Sequence, residues 1–550
     1  RAEVRDAYFN YQRKEGEADF NLYFILRYLA GSGNKNKRPN PLKLGITEAR
    51  ALNTRVHFKD ASVGTEVNIW AHHAYVYAPS DSTHIPLKLI RADSVFLDSA
   101  RVEIRKMRSV PIVADANKSK NTPSSSTPDS LIPRWDIRAG KLRTRGVSVS
   151  IRNELFEPNM DKDLDFNDLK LRDLRLAVDN FVMSKGDMQG DIRALSVEEA
   201  RGFRVLSLRG RAFVNNRRVS VRDFRLTTPH SDLGNLLEFE YEHYTDFYDF
   251  VNRVEMRAEL QNSTIALRDI MAFAFTLKKI PFFAANANRP IEISGNMRGT
   301  VNNLRVRDLD LRTGYHTQAR GALSLNDITI PDAGFMDLKF EHLQTHYTDL
   351  VTILPFVRLP QELQRLGLMR FTGDYTGFFK DFVAFGHLRT DLGEVKSDLK
   401  MDIRRGTALA QYSGGLHLMD FDLGGLLNNP NFGLVSLRTG VVGQGLTLES
   451  LQAHFDRGHV DTFVFRGYTY RNVDMTGYVQ NRLFNGSLSS TDPNCHLYFT
   501  GIADLRDTLP QIDLRGAVRN VNFQRLNISQ EAASLRIDTF NIQARGNDLV

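Results

Sequence analysis

A single cysteine, Cys495, stands among 550 residues, so no disulfide can close within the chain. That excludes a small secreted module stapled by bridges, although it decides no compartment. No stretch approaches the roughly 18 uncharged apolar residues that a membrane-spanning helix needs. Charge of one sign is equally scarce: 72 Lys and Arg face 65 Asp and Glu, a net +7 dispersed along the chain. A nucleic-acid footprint would be clustered, and no basic run interleaved with aromatics is present, so no nucleic-acid partner is expected. Low complexity is confined to Ala114 to Pro133, rich in Ser, Thr, Pro, Asn and Lys, which reads as a polar surface loop or linker. The chain opens on Arg1 and stops in mid-pattern at Val550, as a piece of a longer protein would.

Constellations that carry chemistry are missing as well. Asp161-x-Asp163-x-Asp165 opens like a calcium loop, but Phe166 occupies the glycine position and Arg172 the position of the bidentate glutamate. His72 and His73 are adjacent and point to opposite faces of a strand, while His454 and His459 lack a ligand-spaced acid or cysteine. Gly443-Gln-Gly445 lacks the strand-to-helix context of a phosphate loop. Cys495 has only His496 beside it, which faces away on a strand, and Asp492-Pro-Asn494 reads as a turn. The sequence therefore leads us to expect no metal, no cofactor and no enzymatic activity.

What is abundant is alternation. Leu304-Arg-Val306-Arg, Leu309-Asp-Leu311-Arg and Leu323-Ser-Leu325 repeat apolar residues at period two, which sets one face of a strand on something dry and the other in water. A slip of phase near Asp308 suits a bulge. The pattern also recurs. Ile293-x-Gly295-x-x-x-Gly299-x-x-x-x-Leu304 returns 78 residues on as Phe371-x-Gly373-x-x-x-Gly377-x-x-x-x-Phe382, and Leu-Arg-Thr appears at Leu311, Leu388 and Leu437. Recurrence at such a period means stacked supersecondary units in place of one globular core. The paired glycines suit either turns or places where a curved sheet bends and backbones approach. At 550 residues the chain exceeds the size of a single core, and an array of strands about ten residues apart implies about 40 strands in roughly 400 residues.

Taken in order, residues 1–113 read as strands, a turn at Gly16 and a short helix with Leu22, Ile25, Leu26 and Leu29 on one face, then a polar loop from Gly31 to Pro41. Residues 114–134 form the polar linker, and 135–550 a continuous run of strands. Helical interruptions are expected at Leu267 to Phe283, at Tyr347 to Leu366 with breaks at Pro355 and Pro360, and for one turn at Asp422 to Leu427. The fold class is mainly β, an elongated, twisted antiparallel sheet with a few short helices. Alternation predicts that Leu237, Phe239, Tyr241, Met256, Leu260, Leu323, Leu325, Leu338, Phe340, Leu399, Met401, Ile403, Leu416, Leu418, Phe463, Phe465, Leu497 and Phe499 share the apolar side. Pattern alone suits a sealed core as well as an open groove.

Several segments resemble the TamB branch of the AsmA-like proteins, in the form of the Bacteroidetes lineage. They are Gly-Tyr-x-Tyr-x-Asn-Val at Gly467 to Val473, the Phe484-Asn-Gly486 strand, Asp492-Pro-Asn494 before an alternating strand, and Gly440-x-x-Gly-x-Gly-Leu-Thr-Leu-Glu-Ser-Leu451. Asp19-Phe-Asn21 before an apolar helix is similar to the opening AsmA-type segment. The resemblance implies a half-open, taco-like β-groove in the periplasm, anchored to the inner membrane by an N-terminal helix that this chain lacks. It also implies phospholipid or another envelope lipid as cargo, and an Omp85-type outer-membrane barrel of the TamA kind as partner through regions outside this chain. A scaffold for outer-membrane protein assembly is the alternative role. A passenger-like adhesive solenoid with a sealed core would carry the same alternation.

Overall fold

The computed structural model describes residues 1–17, 19–22, 47–78, 83–84, 89–110, 136–330, 333–357, 359–446, 450–481, 483–506 and 509–546. The expected helix beyond Leu22, the loop from Gly31 to Pro41 and the linker at 114–134 lie outside the described residues. The described chain is mainly β and forms two compact units, residues 1–277 with 292–301, and 278–291 with 302–550. This division does not coincide with the expected boundary at 114–134.

Unit 1 holds β1 (Ala2–Arg5), β2 (Tyr8–Arg13), β3 (Glu48–Asp60), β4 (Thr65–Tyr77), β5 (Thr83–His84), β6 (Leu89–Lys106), β7 (Asp136–Asn153), β8 (Asp168–Ser184), β9 (Asp187–Glu199), β10 (Arg204–Val214), β11 (Arg218–Thr227), β12 (Asp232–Glu240), β13 (Glu255–Ala266) and most of β14 (Pro290–Gly299). Unit 2 holds β15 (Asn303–Thr313), β16 (Thr317–Asn326), β17 (Phe335–His346), β18 (Leu368–Phe378), β19 (Asp381–Thr390), β20 (Gly393–Asp402), β21 (Gln411–Asp422), β22 (Phe432–Gln444), β23 (Gln452–Phe465), β24 (Tyr468–Gln480), β25 (Leu483–Asp492), β26 (Cys495–Asp504), β27 (Gln511–Asn522) and β28 (Ser534–Arg545). The 28 described strands are fewer than the expected 40 because each is longer, up to 18 residues in β6 and β7.

From β15 to β28 every strand pairs antiparallel with its sequence neighbour. Unit 1 departs from the antiparallel expectation at three pairings: β1 and β2 both run parallel to β3, and β6 runs parallel to β7. Both departures follow a long connection, 14–47 or 107–135, and only a long connection brings a chain back in the same direction. The phase slip at Asp308 is a bulge: its φ is 52°, and the β15–β16 register shifts between Val306 and Leu309.

The recurring glycines lie in strands and not in turns, Gly295 and Gly373 in mid-strand and Gly299 and Gly377 near strand ends. Gly373 of β18 has φ 151° and Gly377 φ 141°. A Cβ on Gly373 would fall 2.2 Å from the carbonyl oxygen of Phe385 on β19, so two backbones meet there. Gly373→Ala is expected to cost about 3 kcal/mol, read as a lower urea midpoint. Gly415→Ala on β21, where nothing lies within 4 Å, is expected to change it by less than about 0.5 kcal/mol.

The sequence period has a structural meaning. After β13, β17 and β21 the chain leaves the sheet in a short helix, Leu267–Phe273, Tyr347–Ile353 and Leu423–Leu427, so one period is four strands and a helix. The exit is fastened to the hairpin turn two strands back. Asp269 accepts the hydroxyls of Thr228 and Ser231, both at 2.6 Å, beside the β11–β12 turn. Asp349 accepts from the backbone N–H groups of Tyr315 and His316 and from the Thr317 hydroxyl at the β15–β16 turn. Asp422 instead caps its own helix through Gly425, while its N–H donates to Leu392 in the β19–β20 turn. The later pieces Phe275–Lys279, Pro281–Ala285 and Gln361–Leu366 complete the expected interruptions. Two helical segments were not anticipated, Tyr244–Asp249 continued by Phe250–Arg253, and the single turn Thr407–Leu409.

Candidate functional site

Register turns the alternation of separate strands into one surface. In unit 2 a single row of cross-strand neighbours runs Leu304, Leu325, Met336, Gly377, Phe382, Met401, Tyr412, Gly443, Ala453, Val479, Phe484, Ala503, Ile512, Ala544. It crosses all fourteen strands without a charged residue. Beside it runs a second row, through Val306, Leu323, Leu338, Tyr375, Ala384, Leu399, Gly414, Val441 and Phe455. Displacing the position by one residue reaches the other side of the sheet, with Asp337, Thr376, Lys400, Ser413 and His454 and the exposed Val383 and Val442 between them. At about 4.8 Å per strand the apolar rows extend roughly 60 Å along the hydrogen bonds of unit 2.

Of the expected apolar residues in this unit, Leu323, Leu325, Leu338, Phe340, Leu399, Met401, Leu416 and Phe499 sit on this side, each half-buried and outside the buried clusters. Their contacts are with one another and with neighbouring rings: Phe340 lies edge-on to Phe371 at 6.2 Å, and Phe499 to Phe484 at 6.2 Å. Ile403 lies past the end of β20, its N–H donating to Lys380 at 2.8 Å. Tyr375 and Phe382, whose rings stack at 4.6 Å, were missed: Gly373 and Gly377 flank the first, and the apolar run Val383-Ala-Phe385 after the second hides its alternation. Burial pushes the Tyr375 phenol well above its ordinary value, and its hydroxyl donates to the carbonyl of Phe378.

One end of this side is covered. Leu366, Met369, Phe421, Val435 and Val460 are buried together, with Leu350, Leu363, Leu423 and Leu426 of the short helices against them. Leu418 and Phe463 pack on the same cluster, and Phe465 stacks on Phe463 and lies tilted against Phe432. Leu497 packs beside a second cluster, Cys495, Val518, Val521 and Leu526. The helices thus close one margin of the surface and leave Leu399 and Met401 outside the buried clusters, although Val306, Val441 and Ala453 of the same rows are buried.

In unit 1 Leu237 and Phe239 pair with Ala258 and Met256 on one side and with Val221 and Val219 on the other. Here the unanticipated helical segment folds over the sheet. Phe239 meets the Phe250 ring at 5.5 Å and Tyr241 the Phe247 ring at 4.9 Å. Tyr241, whose hydroxyl donates to Asn215 at 2.6 Å, and Leu260 are buried, so neither lines an open surface as expected from alternation. The signal for this segment was present: His243-Tyr-Thr-Asp246 recurs as His346-Tyr-Thr-Asp349, and each opens a helical turn.

The polar motifs make structure. Asp165 is buried and accepts from the N–H groups of Asn159 and Asn167. Asp492, also buried, accepts from the Tyr468 hydroxyl and from the N–H groups of Arg471 and Asn494. His459 lies between Asp474 at 2.7 Å and Asp461 at 3.4 Å on the exposed side. Burial, with Asp492 adding to it, pushes the Cys495 thiol up to about 11, which leaves little thiolate at neutral pH. Among the described residues no group of three or more His, Cys, Asp or Glu is placed to hold a metal ion, and no helix is long and apolar enough to cross a membrane.

The chain matches no family model, no curated protein and no solved structure.

Proposed function

We propose that this chain is a conduit for phospholipid acyl chains, carried along the apolar side of its sheet between two membranes. The observation that supports it is the uncharged row across fourteen strands of unit 2, flanked by large side chains that are half-buried and outside the buried clusters. A sealed core would bury Phe340, Leu399 and Met401, as it does Val435 and Phe421. Energetics agree with this use. Drawing a sixteen-carbon chain through water exposes about fifteen methylenes at about 0.8 kcal/mol each, roughly 12 kcal/mol. A continuous apolar surface removes most of that barrier at every step while the headgroup stays wet.

The resemblance to the AsmA-like proteins extends the reading to the cell envelope: a periplasmic bridge anchored in the inner membrane and meeting an outer-membrane barrel through regions outside this chain. In that role the chain performs no catalysis. The test is mass spectrometry of lipid extracted from the purified protein, with a photo-crosslinking residue at Phe340, at Leu399 and, facing the other way, at Lys400. Stoichiometric phospholipid crosslinked at the first two positions and not the third is the expected result. A lipid-free protein unreactive at both would overturn the proposal, and crosslinks to unfolded barrel strands would turn it toward an assembly scaffold.

A further inference from the structure

Unit 1 carries an arrangement that acyl-chain carriage does not use. Tyr8, Arg55, Trp70, Arg101 and Ser148 are direct cross-strand neighbours on β2, β3, β4, β6 and β7. The next residues along, Val56, Ile69 and Val102, form a ladder of their own one position over, so their side chains alternate with those of this row. The row through Trp70 crosses a cleft of about 1060 Å³, to which Asn53, Asn68, His72, Ser99 and Gly146 also contribute.

The cleft has a backbone cause. Asp6, Asn53, Ser99 and Gly146 have φ values of 49°, 47°, 53° and 61°. They follow one row, because β1 and β2 keep the same register with β3, and β6 keeps its register with β7, on both sides of the kink. Strands that turn at one row bend the sheet along a line and hollow one of its sides.

The chemistry of the cleft is one-sided. Among the described residues neither Arg55 nor Arg101 has an acidic partner, and the Trp70 indole N–H, the Asn68 amide and the Ser148 hydroxyl make no hydrogen bond. Among the described residues the only carboxylate lining the cleft, Asp6, accepts from Asn53 at 3.2 Å. Five donors without matching acceptors suit a ligand made of acceptors. Two guanidinium groups on strands about 10 Å apart flank an indole, and Tyr8, 62% exposed, stands at the end of the row. Arginine takes carboxylate, sulfate or phosphate in paired hydrogen bonds. Aromatic faces take the C–H faces of sugar rings.

We propose that this cleft binds an acidic saccharide, one ring stacked on Trp70 with its anionic groups held by Arg55 and Arg101. Single-stranded nucleic acid also combines stacking with cations, but the amide and hydroxyl groups around the indole favour a ligand dense in hydroxyls.

The test is titration of the full chain with a tetrasaccharide of galacturonate, followed by calorimetry and by tryptophan fluorescence. Maltotetraose is the uncharged comparison and an oligo-dT of similar charge the nucleic-acid one. Saturable binding of the acidic saccharide alone is expected, weakened at least about tenfold by Trp70→Ala and by the double variant Arg55→Gln with Arg101→Gln, and reduced by salt. Arg55 and Arg101 are exposed and Trp70 is half-buried, and unchanged circular dichroism of both variants separates a lost site from a lost fold. No saturable binding, equal binding by the folded variants, or tighter binding of the oligo-dT would overturn the assignment.

Discussion

Aspartate at Phe340 and Leu399 together is expected to strip the protein of copurifying phospholipid while leaving circular dichroism and the urea midpoint close to those of the parent. Both positions are half-buried: Phe340 stands opposite Gly321 and Gly373, and Leu399 opposite Ala384 and Gly414. Small neighbours leave a carboxylate room to stay hydrated, so the folded state loses little. A passing acyl chain, in contrast, must lie against that carboxylate. A charge facing hydrocarbon costs on the order of 3 kcal/mol, roughly a hundredfold in occupancy for each position. Two comparisons fix the meaning. Aspartate at Thr376, on the polar side, is expected to change neither lipid nor stability. Aspartate at Leu418, packed on the cluster beneath the short helices, is expected to unfold that part of unit 2 because it places a charge in a covered core. Full lipid load in a stably folded double variant would remove the acyl-groove reading and leave the cleft at Trp70 unaffected.

The contrast between Leu399 and Leu418 marks what the sequence could and could not tell. Both fall on the period-two positions of their strands and both face the apolar side, so the pattern places them equally. What separates them is whether a helix from another part of the chain lies above, and a local pattern does not contain that. The bulge at Asp308 was legible because a phase slip is itself local. The glycines at 373 and 377 were legible as special positions, but bend and turn ask for the same residue. The parallel pairings of β1, β2 and β6 were not legible, since alternation is the same in either direction. The ladder through Trp70 was invisible for a related reason: Tyr8, Arg55, Trp70 and Arg101 are scattered over nearly a hundred residues and meet only through register.

Asp349→Ala is expected to lower the stability of unit 2 by about 3 kcal/mol. The side chain is 2% exposed and accepts from the N–H of His316 at 2.7 Å, the N–H of Tyr315 at 3.3 Å and the Thr317 hydroxyl at 2.9 Å. Removing it leaves the N–H groups of Tyr315 and His316 without their acceptor, while the Thr317 hydroxyl keeps the Thr345 hydroxyl at 2.9 Å. Burial by itself would raise the carboxyl pKa, but these hydrogen bonds together outweigh it and hold the value below the ordinary one of 3.8. A carboxyl depressed in the folded state stabilises fully above its unfolded pKa and loses that contribution as pH falls through the folded one. The parent is therefore expected to lose stability below about pH 4, and the variant to lack that part of the acid sensitivity. Asp402→Ala makes the comparison: its carboxylate pairs with Arg404 at the surface and its loss is expected to move the urea midpoint little. The consequence reaches the apolar side, because Asp349 pins the helix Tyr347–Ile353 to the β15–β16 turn and Leu350 of that helix covers the buried cluster. An unpinned helix should expose that cluster to a hydrophobic dye before the sheet itself melts. A variant that keeps both its midpoint and its dye-silent surface would mean that apolar contacts alone hold the cover in place.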